Sequence, residues 1–320
     1  MKKVLSIIAC VMIVCIVIAC VFFKKEDGKK ELKEVVIDTS NAIDRSVVNL
    51  IREEKILEKY LPDGVKVKWK DMASGSARKD ALLASEVQFI AVTSSQFVIY
   101  RDSNMPITLI NALSKVSTGI YSNNPNIKTI ADLAKAERIA TNSMTSDDYM
   151  LFKKLAYENF GDYNYFDDKM SFMDEVDILT SLKSSKDIDV AILPYVYAKY
   201  ADEVDSLTKL YESSGNEPFE RYLVTTNEFY KNYPDIVSAF IKAEEEAVKF
   251  INDDPQKASE ILAKSYELDT ALIKEFFIKY PPSLKVRSYD LTADLLYEMK
   301  VVENKPQELT EMLNYNDIIK

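Results

Sequence analysis

The sequence has no histidine, and its three cysteines all lie within the first 20 residues. The absence of histidine excludes histidine metal ligands, histidine general bases and serine–histidine triads. Beyond Cys20 there is no thiol for a disulfide bond or for nucleophilic chemistry. A zinc site could use only carboxylates, which is an uncommon ligand set. These absences argue against most hydrolases and oxidoreductases, and no catalytic residue, cofactor or metal ion is expected.

The chain opens with Lys2 and Lys3, followed by an apolar run over residues 4–23. This order is typical of a secretion signal, but the run is also just long enough to span a bilayer. The stretch Val17-Ile18-Ala19-Cys20 resembles a bacterial lipobox, which predicts cleavage before Cys20 and attachment of lipid to its thiol. The alternative is an uncleaved anchor helix that contains the three cysteines. Both interpretations place residues 24–320 outside the cytoplasm, tethered to the bacterial cell membrane.

The chain carries 41 Lys and Arg residues against 51 Asp and Glu residues, a net charge of −10. Nucleic-acid binding needs a basic face, so this balance argues against it. Residues 24–33 are mostly charged and lack hydrophobic periodicity, which indicates a solvated tether. The remainder is long enough to bury an ordinary hydrophobic core, divided between two lobes.

Short apolar strands alternate with helical segments in two series, which predicts an α/β protein with mostly parallel sheets. The first series has predicted strands at 35–38, 65–71, 87–92, 107–113 and 115–121, and helices at 41–60 and 76–86. The second has strands at 138–141, 170–173, 189–193 and 221–225, and helices at 129–135, 147–160, 176–184 and 195–204. From residue 233 onward the pattern is purely helical, with helices predicted to start near Pro234, Pro255, Asp269 and Leu291.

Four stretches resemble, in their order and spacing, the substrate-binding proteins of ABC importers for nitrate, sulfonates, taurine and thiamine precursors. They are VKWKDMASGSARKDALLASEVQFIAV (67–92), IKTIADLAKAERIATNSMTSDDYML (127–151), ILTSLKSSKDIDVAILPYVYA (178–198) and RYLVTTNEFYKNYPDIVSAFIKA (221–243). The chain departs from the family at Ser85, where glycine is usual, and at Gln88, where aspartate is usual. It also has Pro194-Tyr195-Val196 where many relatives have Pro-Glu-Pro.

The resemblance implies the two-lobed type 2 periplasmic-binding-protein fold, in which each lobe is a mostly parallel sheet flanked by helices. It divides the chain into a lipoprotein signal peptide (1–19), a lipid-anchored tether (20–33), the first part of lobe 1 (34–117), lobe 2 (118–217), and a return to lobe 1 with a helical C-terminal tail (218–320). Ligand is then expected between the lobes, at loops that follow the carboxyl ends of strands.

Two polar stretches stand between a predicted strand and a predicted helix. Ser74-Gly75-Ser76 could offer backbone N–H groups and hydroxyls to a polar or anionic ligand, or could simply cap the helix. Ser143 and Thr145 precede the helix that begins at Asp147. Because that helix start already carries two aspartates, capping is the better interpretation there, although the hydroxyls could contact a neutral or amine-bearing ligand.

The other predicted ligand contacts follow further strands: Ser40, Asn41, Thr93, Ser94, Pro194 and Tyr195. In the family pattern Thr93 and Ser94 face the cleft, and Tyr195 could stack on a flat ligand or donate its hydroxyl. Each of these residues could instead be a turn, cap or packing residue. The arginines form no obvious cluster in sequence that would mark an anion site.

The predicted function is that of a non-enzymatic, monomeric lipoprotein that captures a small organic solute and delivers it to the permease and ATPase subunits of an ABC importer. Lobe closure around the ligand would be its mechanism. An enzyme on the same fold and a surface sensor that reuses the fold are the alternatives. The resemblance does not distinguish sulfonate, taurine-like and pyrimidine or thiamine-precursor ligands.

Overall fold

The computed structural model describes residues 32–305, apart from positions 41, 73, 185 and 186. The predicted signal peptide, Cys20 and most of the predicted tether lie outside the described residues. In the part of the chain that is described, no helix combines the length and the apolar character needed to cross a membrane.

The described residues contain ten strands. They are β1 (Glu34–Thr39), β2 (Lys66–Asp71), β3 (Ile90–Thr93), β4 (Ile107–Lys115), β5 (Thr118–Ser122), β6 (Ile139–Thr141), β7 (Met170–Phe172), β8 (Val190–Pro194), β9 (Thr208–Glu212) and β10 (Glu220–Thr226). They form three sheets with the strand orders β1-β2, β3-β10-β4 and β7-β6-β8-β5-β9. We call the part built on the first two sheets lobe 1 and the part built on the five-stranded sheet lobe 2.

Helices cover the sheets and form the C-terminal part of the described chain. They are α1 (Ser46–Glu53), α2 (Gly75–Leu83), α3 (Ser94–Asp102), α4 (Asp147–Phe160), α5 (Glu175–Ser184), α6 (Tyr195–Asp202), α7 (Asn227–Asn232), α8 (Pro234–Asp253), α9 (Pro255–Tyr266), α10 (Thr270–Lys279) and α11 (Tyr289–Glu298). Short 3₁₀ helices lie at Ile43–Arg45, Leu57–Lys59, Ile130–Lys135 and Asp167–Lys169. The predicted two-lobed α/β class is therefore confirmed.

Strand direction differs between the centre of each lobe and the strands that connect them. β1 is parallel to β2, and β6 is parallel to β7 and β8. A parallel bridge between Ile37 and Phe89 also joins β1 to the chain leading into β3, so the ends of β1, β2 and β3 lie at one edge. In contrast, β10 is antiparallel to β3 and β4, and β5 is antiparallel to β8 and β9. The sheets are thus parallel only where strands and helices alternate, and less parallel overall than predicted.

Two neighbouring segments carry the chain between the lobes. The Val116 N–H donates to the Phe219 carbonyl at 3.3 Å, and the Ser213 N–H donates to the Thr118 carbonyl at 2.9 Å. The Thr118 N–H in turn donates to Ser213 Oγ at 2.9 Å. These paired segments lie close to the predicted lobe boundaries, which stay predictions.

The helix predicted over residues 41–60 is wrong in its length, because α1 ends at Glu53. Lys55 adopts the left-handed conformation with φ +51°. Its N–H donates to the Arg52 carbonyl at 3.3 Å, and the Ile56 N–H donates to the Ile51 carbonyl at 3.0 Å. This pair of bonds is the Schellman ending, and the buried Ile56 supplies the apolar contact that accompanies it. Apolar periodicity continues through the break, which is why the pattern suggested one helix.

Helix α4 has the bounds predicted for it, from Asp147 to Phe160, and ends at Gly161 with φ +78°. Helix α3 was not predicted, because it begins directly where the buried strand β3 ends. Thr93 and Gln96 form a capping box at its start. Their Thr-x-x-Gln spacing is the sequence signal that could have revealed this helix.

Candidate functional site

Helices from both lobes begin close together at the edge where β1, β2 and β3 end. Ser74 caps α2 by accepting a hydrogen bond from the Ala77 N–H at 3.2 Å, and its hydroxyl lies 2.9 Å from that of Ser76. Gly75 lies against the start of α3, because a Cβ atom on it would be 3.3 Å from Gln96 Nε2. The predicted residues Ser74, Gly75 and Ser76 therefore stand beside the start of a second helix.

Asp147, the first residue of α4, reaches from lobe 2 to the start of α3 in lobe 1. Its Oδ1 accepts a hydrogen bond from the Ser95 N–H at 2.9 Å. The Ser94 hydroxyl lies 3.3 Å from each of its carboxylate oxygens. The start of a helix stabilises negative charge. A carboxylate of the chain itself therefore occupies the position at α3 that an anion would favour.

The start of α4 is capped by a different residue. Ser146 Oγ accepts from the Tyr149 N–H at 3.2 Å, which confirms the expectation that a hydroxyl of this stretch caps the helix. Asp148 instead accepts a hydrogen bond of 2.5 Å from the Thr118 hydroxyl, next to the crossing segments. Burial raises the pKa of Asp147 to about 6 and the pKa of Asp148 to about 7, in spite of these hydrogen bonds.

Five charged side chains form an ionic cluster next to these helix starts: Asp38, Asp44, Arg45, Arg78 and Arg221. Asp38 is 3% exposed, and its Oδ2 lies 3.3 Å from Arg45 Nη1 and 3.9 Å from Arg78 Nε. Arg221, on β10, forms an ion pair with Asp44.

Burial dominates the electrostatics of the ionic cluster. It raises the pKa of Asp38 to about 6, although Arg45 and Arg78 oppose the shift. Burial, together with the charges of Arg78 and Arg221, lowers the pKa of Arg45 to about 10. The pKa of Asp44 is lowered because the attraction of Arg221 and Arg45 outweighs its burial. The side chains of the cluster thus stabilise one another's charges.

The remaining predicted contacts are partly engaged within the chain. The Ser40 carbonyl accepts from Asn49 Nδ2 at 2.8 Å, and Asn41 lies outside the described residues. Ser143 and Thr145 are half-buried in the loop before α4, and the Thr145 N–H donates to Ser143 Oγ at 3.2 Å. Their hydroxyls lie 3.3 Å apart. The loop leads directly into α4, whose first residue is Asp147, so Ser143 and Thr145 lie near the helix starts described above.

Pro194 and Tyr195 stand at the start of α6. Pro194 is the N-cap residue of α6, and the Tyr195 side chain packs against α10. Its ring lies 5.0 Å from that of Phe276, centroid to centroid, and its hydroxyl lies 3.4 Å from the Leu272 carbonyl. Tyr195 is therefore a buried packing residue in this conformation, and its role as a ligand contact stays a prediction.

Sequence reasoning did not predict that the charged residues of the site lie together. Arg45, Arg78 and Arg221 are far apart in sequence, and β10 brings the last of them back beside lobe 1 only after the chain has built lobe 2. Asp38 was predicted as the last residue of a strand, and it lies in β1, one residue before the end of that strand. Among residues 32–305, apart from the four positions not described, no group of three or more carboxylates is arranged to hold a metal ion.

Residues 60–258 match the protein family described as NMT1/THI5 like, which is more than half of the chain. No curated protein sequence matches significantly. Among solved structures, the periplasmic aliphatic sulphonate binding protein SsuA from Escherichia coli is similar with a TM-score of 0.70 and 18% identity, over 86% of this chain and 90% of that chain.

Two further structures have the same architecture. The alkanesulfonate-binding protein SsuA from Xanthomonas axonopodis pv. citri gives a TM-score of 0.70 at 16% identity, over 86% of this chain and 96% of that chain. The ligand binding component of an ABC-type import system from Staphylococcus aureus gives 0.71 at 12% identity, over 90% of this chain and 98% of that chain. At these identities the likeness establishes the fold. The chain therefore belongs to the NMT1/THI5-like family and has the fold of periplasmic binding proteins.

Proposed function

We propose that this chain is the solute-binding component of an ABC importer, which captures a small organic solute between its two lobes and delivers it to a membrane permease. The main support is structural: α2 and α3 of lobe 1 begin close to the start of α4 of lobe 2, beside a buried ionic cluster. Family membership and fold support it. So do the names of structurally similar proteins, two of which bind sulfonates and one of which belongs to an import system.

Capture requires that the lobes open and close. The crossing segments offer a hinge, because both chain segments between the lobes run side by side there, joined by hydrogen bonds between Val116 and Phe219 and between Thr118 and Ser213. Ligand that contacts both lobes would favour the closed state by its differential affinity for it. No step of this mechanism needs a nucleophile or a general base, so the proposed role is not enzymatic.

The ligand contacts we propose are those at the helix starts. They are Ser40, Asn41, Ser74, Gly75, Ser76, Thr93, Ser94, Ser143 and Thr145, with Pro194 and Tyr195 as more distant members. Ser76 is the most useful of them for a test, because its side chain is exposed and Ser74, rather than Ser76, caps α2. Removing the Ser76 hydroxyl should therefore affect a ligand more than the fold.

The location we propose is the outer face of the cell membrane, where lipid on Cys20 would anchor a monomeric protein through a short tether. Metabolic labelling with an alkyne palmitate analogue tests the anchor, because only a lipidated chain becomes labelled. Cys20→Ala should abolish the label, whereas Cys15→Ala should keep it. Persistent labelling of Cys20→Ala would contradict this assignment.

Ligand capture is tested by thermal shift on the full-length chain, purified in mild detergent and freed of bound solute by partial unfolding and refolding. The panel is sulfonates, taurine, nitrate, amino acids and pyrimidines. A ligand at about 100 times its Kd adds roughly 2.7 kcal/mol to the stability of the folded state. That corresponds to a shift of several degrees in a chain of this size.

The same measurement on two variants distinguishes the site from the surface. Ser76→Ala should reduce the ligand-induced shift, whereas Ser206→Ala, which changes an exposed turn, should leave it unchanged. Tyr195→Ala is a poor probe, because loss of a buried aromatic ring destabilises the fold by itself. A folded chain that responds to no class in the panel would count against a solute-binding role.

A further inference from the structure

Helix α10 is attached to lobe 1 through the helix before it. Residues 267–269 link it to α9, and the two helices pack against each other. Helix α9 is in turn joined to α1 of lobe 1, because the Tyr266 hydroxyl accepts a hydrogen bond from Asn49 Nδ2 at 2.9 Å and lies 3.1 Å from Ser46 Oγ. Any contact that α10 makes with lobe 2 therefore connects the two lobes.

Side chains of α10 contact lobe 2 at three places. Glu275 Oε1 lies 2.5 Å from Lys199 Nζ, on α6. Lys279 forms a second ion pair with Glu212, the last residue of β9. The aromatic contact between α6 and α10 described above is the third. Because α6 and β9 belong to lobe 2, α10 is held by one lobe and contacts the other.

Tyr280, the residue directly after α10, contacts both crossing segments and is 1% exposed. Its hydroxyl accepts a hydrogen bond of 2.9 Å from the Ser117 hydroxyl in one segment and donates one of 2.9 Å to the Ser213 carbonyl in the other. Its ring lies close to Gly215, where a Cβ atom would be 3.3 Å from it. The residue that follows α10 thus joins the two segments about which the lobes would turn.

Opening of the lobes has to change these contacts. The charged partners on α6 and β9 move with lobe 2, whereas α10 is held to lobe 1 through α9. The ion pair to α6 is partly exposed, with 22% of the Lys199 side chain and 52% of the Glu275 side chain accessible to solvent. Ion pairs of this kind are weak, so they can break and form again as the lobes move.

We propose that α10 together with Tyr280 is a clamp that holds the lobes in the arrangement described here and sets how often they open. This inference rests on the lobe movement that the proposed function requires. It goes beyond that function because it gives a role to residues that are not proposed ligand contacts. Lys199, Glu275 and Tyr280 change ligand affinity through the population of the open state, without touching the ligand.

The test measures the separation of the lobes without ligand, by double electron–electron resonance on the full-length chain in mild detergent, freed of bound solute as above. One spin label is attached at Asp63→Cys in lobe 1 and one at Asp168→Cys in lobe 2, both at exposed positions. The three native cysteines are replaced by alanine, so that only the introduced cysteines carry labels. The result is a distribution of distances between the lobes.

Lys199→Glu replaces the attraction to Glu275 with repulsion, so a population at a second distance should appear, or grow by roughly threefold. Lys199→Glu combined with Glu275→Lys reverses the pair and should restore the original distribution. Lys249→Glu is the matched control, because it breaks an ion pair within α8 of lobe 1 and should leave the distribution unchanged. A shift that the reversed pair does not restore would overturn the role of this ion pair.

Tyr280→Phe removes both hydrogen bonds to the crossing segments and should shift the distribution in the same direction. Tyr121→Phe, which removes a hydroxyl bonded to Asp202 within lobe 2, should not shift it. An unchanged distribution in both Lys199→Glu and Tyr280→Phe would overturn the inference. The proposed function is tested separately by the thermal-shift panel, so a chain that binds a solute but shows no shift in these variants would keep its function and lose the clamp.

Discussion

Asp147 Oδ1 in lobe 2 and the Ser95 N–H in lobe 1 are joined by a hydrogen bond of 2.9 Å. The two residues are 52 positions apart, and both are fully buried. The contact unites the lobes through a side chain of the protein at the point where both proposed ligand-binding helices begin. Because burial raises the pKa of this carboxyl, we expect the stability of the folded chain to depend on pH.

We expect the protein to become more stable as the pH falls from 8 to about 5. Burial raises the pKa of Asp38 and of Asp147 to about 6, and that of Asp148 to about 7. The folded chain then binds these protons more tightly than the unfolded chain, so the free energy of unfolding rises as the pH falls through these values. The expected gain is on the order of 1–3 kcal/mol, seen as an increase in Tm of a few degrees by calorimetry.

Asp148→Asn should flatten this pH dependence, because it removes one of the buried carboxyls with a raised pKa while keeping an acceptor for the Thr118 hydroxyl. Asp168→Asn, an exposed position, should leave the slope as it is. A Tm that stays constant or falls between pH 8 and pH 5.5 would show that these carboxyls are not protonated on folding.

Glu244→Gln should stabilise the protein at pH 7.5 and have little effect at pH 4. Glu244 is 0% exposed, and burial raises its pKa well above the usual range, so the folded chain holds it neutral. Glutamine is neutral in both states and keeps an oxygen for the 2.6 Å contact with Asn111 Nδ2. We expect a gain of roughly 1–3 kcal/mol at pH 7.5 in urea unfolding, because the cost of neutralising the carboxyl disappears.

The exposed neighbour Glu245 provides the matched control, since Glu245→Gln should change stability by less than about 0.5 kcal/mol at either pH. A Glu244→Gln protein that is less stable than the original at pH 7.5 would contradict a neutral Glu244 in the folded chain.

The bounds of α4 could be predicted from the sequence, whereas the contacts of Asp147 and of the ionic cluster could not. Helix α4 was predicted to the residue, because Ser146 and Gly161 are local cap signals and local energetics set both ends. The partner of Asp147 could not be predicted, because it lies in a helix that starts without a loop after a buried strand. The same holds for the ionic cluster, whose arginines become neighbours only through the return of β10 to lobe 1. Helix caps can be predicted from neighbouring residues. Ion pairs between residues far apart in sequence can be predicted only when the topology of the chain is known.

Arg221→Ala should destabilise the protein by about 2–4 kcal/mol, because it leaves the half-buried Asp44 carboxylate without its main partner. Asp44→Asn combined with Arg221→Ala should recover part of that loss, since the uncompensated charge is then gone. Urea unfolding of both single variants and the double variant gives the coupling free energy. Additive losses, with no recovery in the double variant, would show that the pair is energetically independent.

Lys55→Gly should stabilise the protein by about 1 kcal/mol. Lys55 is exposed and has a φ of +51°, a conformation that costs a side chain with a Cβ atom but not glycine. Its backbone bond to the Arg52 carbonyl and the burial of Ile56 do not depend on the lysine side chain, so the helix ending should survive. The preceding residue is the matched control: Glu54 is also exposed but has a φ of −94°, so Glu54→Gly should destabilise by the usual entropic cost of glycine. The free energy of unfolding of both variants is measured in urea. A loss of stability in both variants would contradict a helix α1 that ends at Glu53.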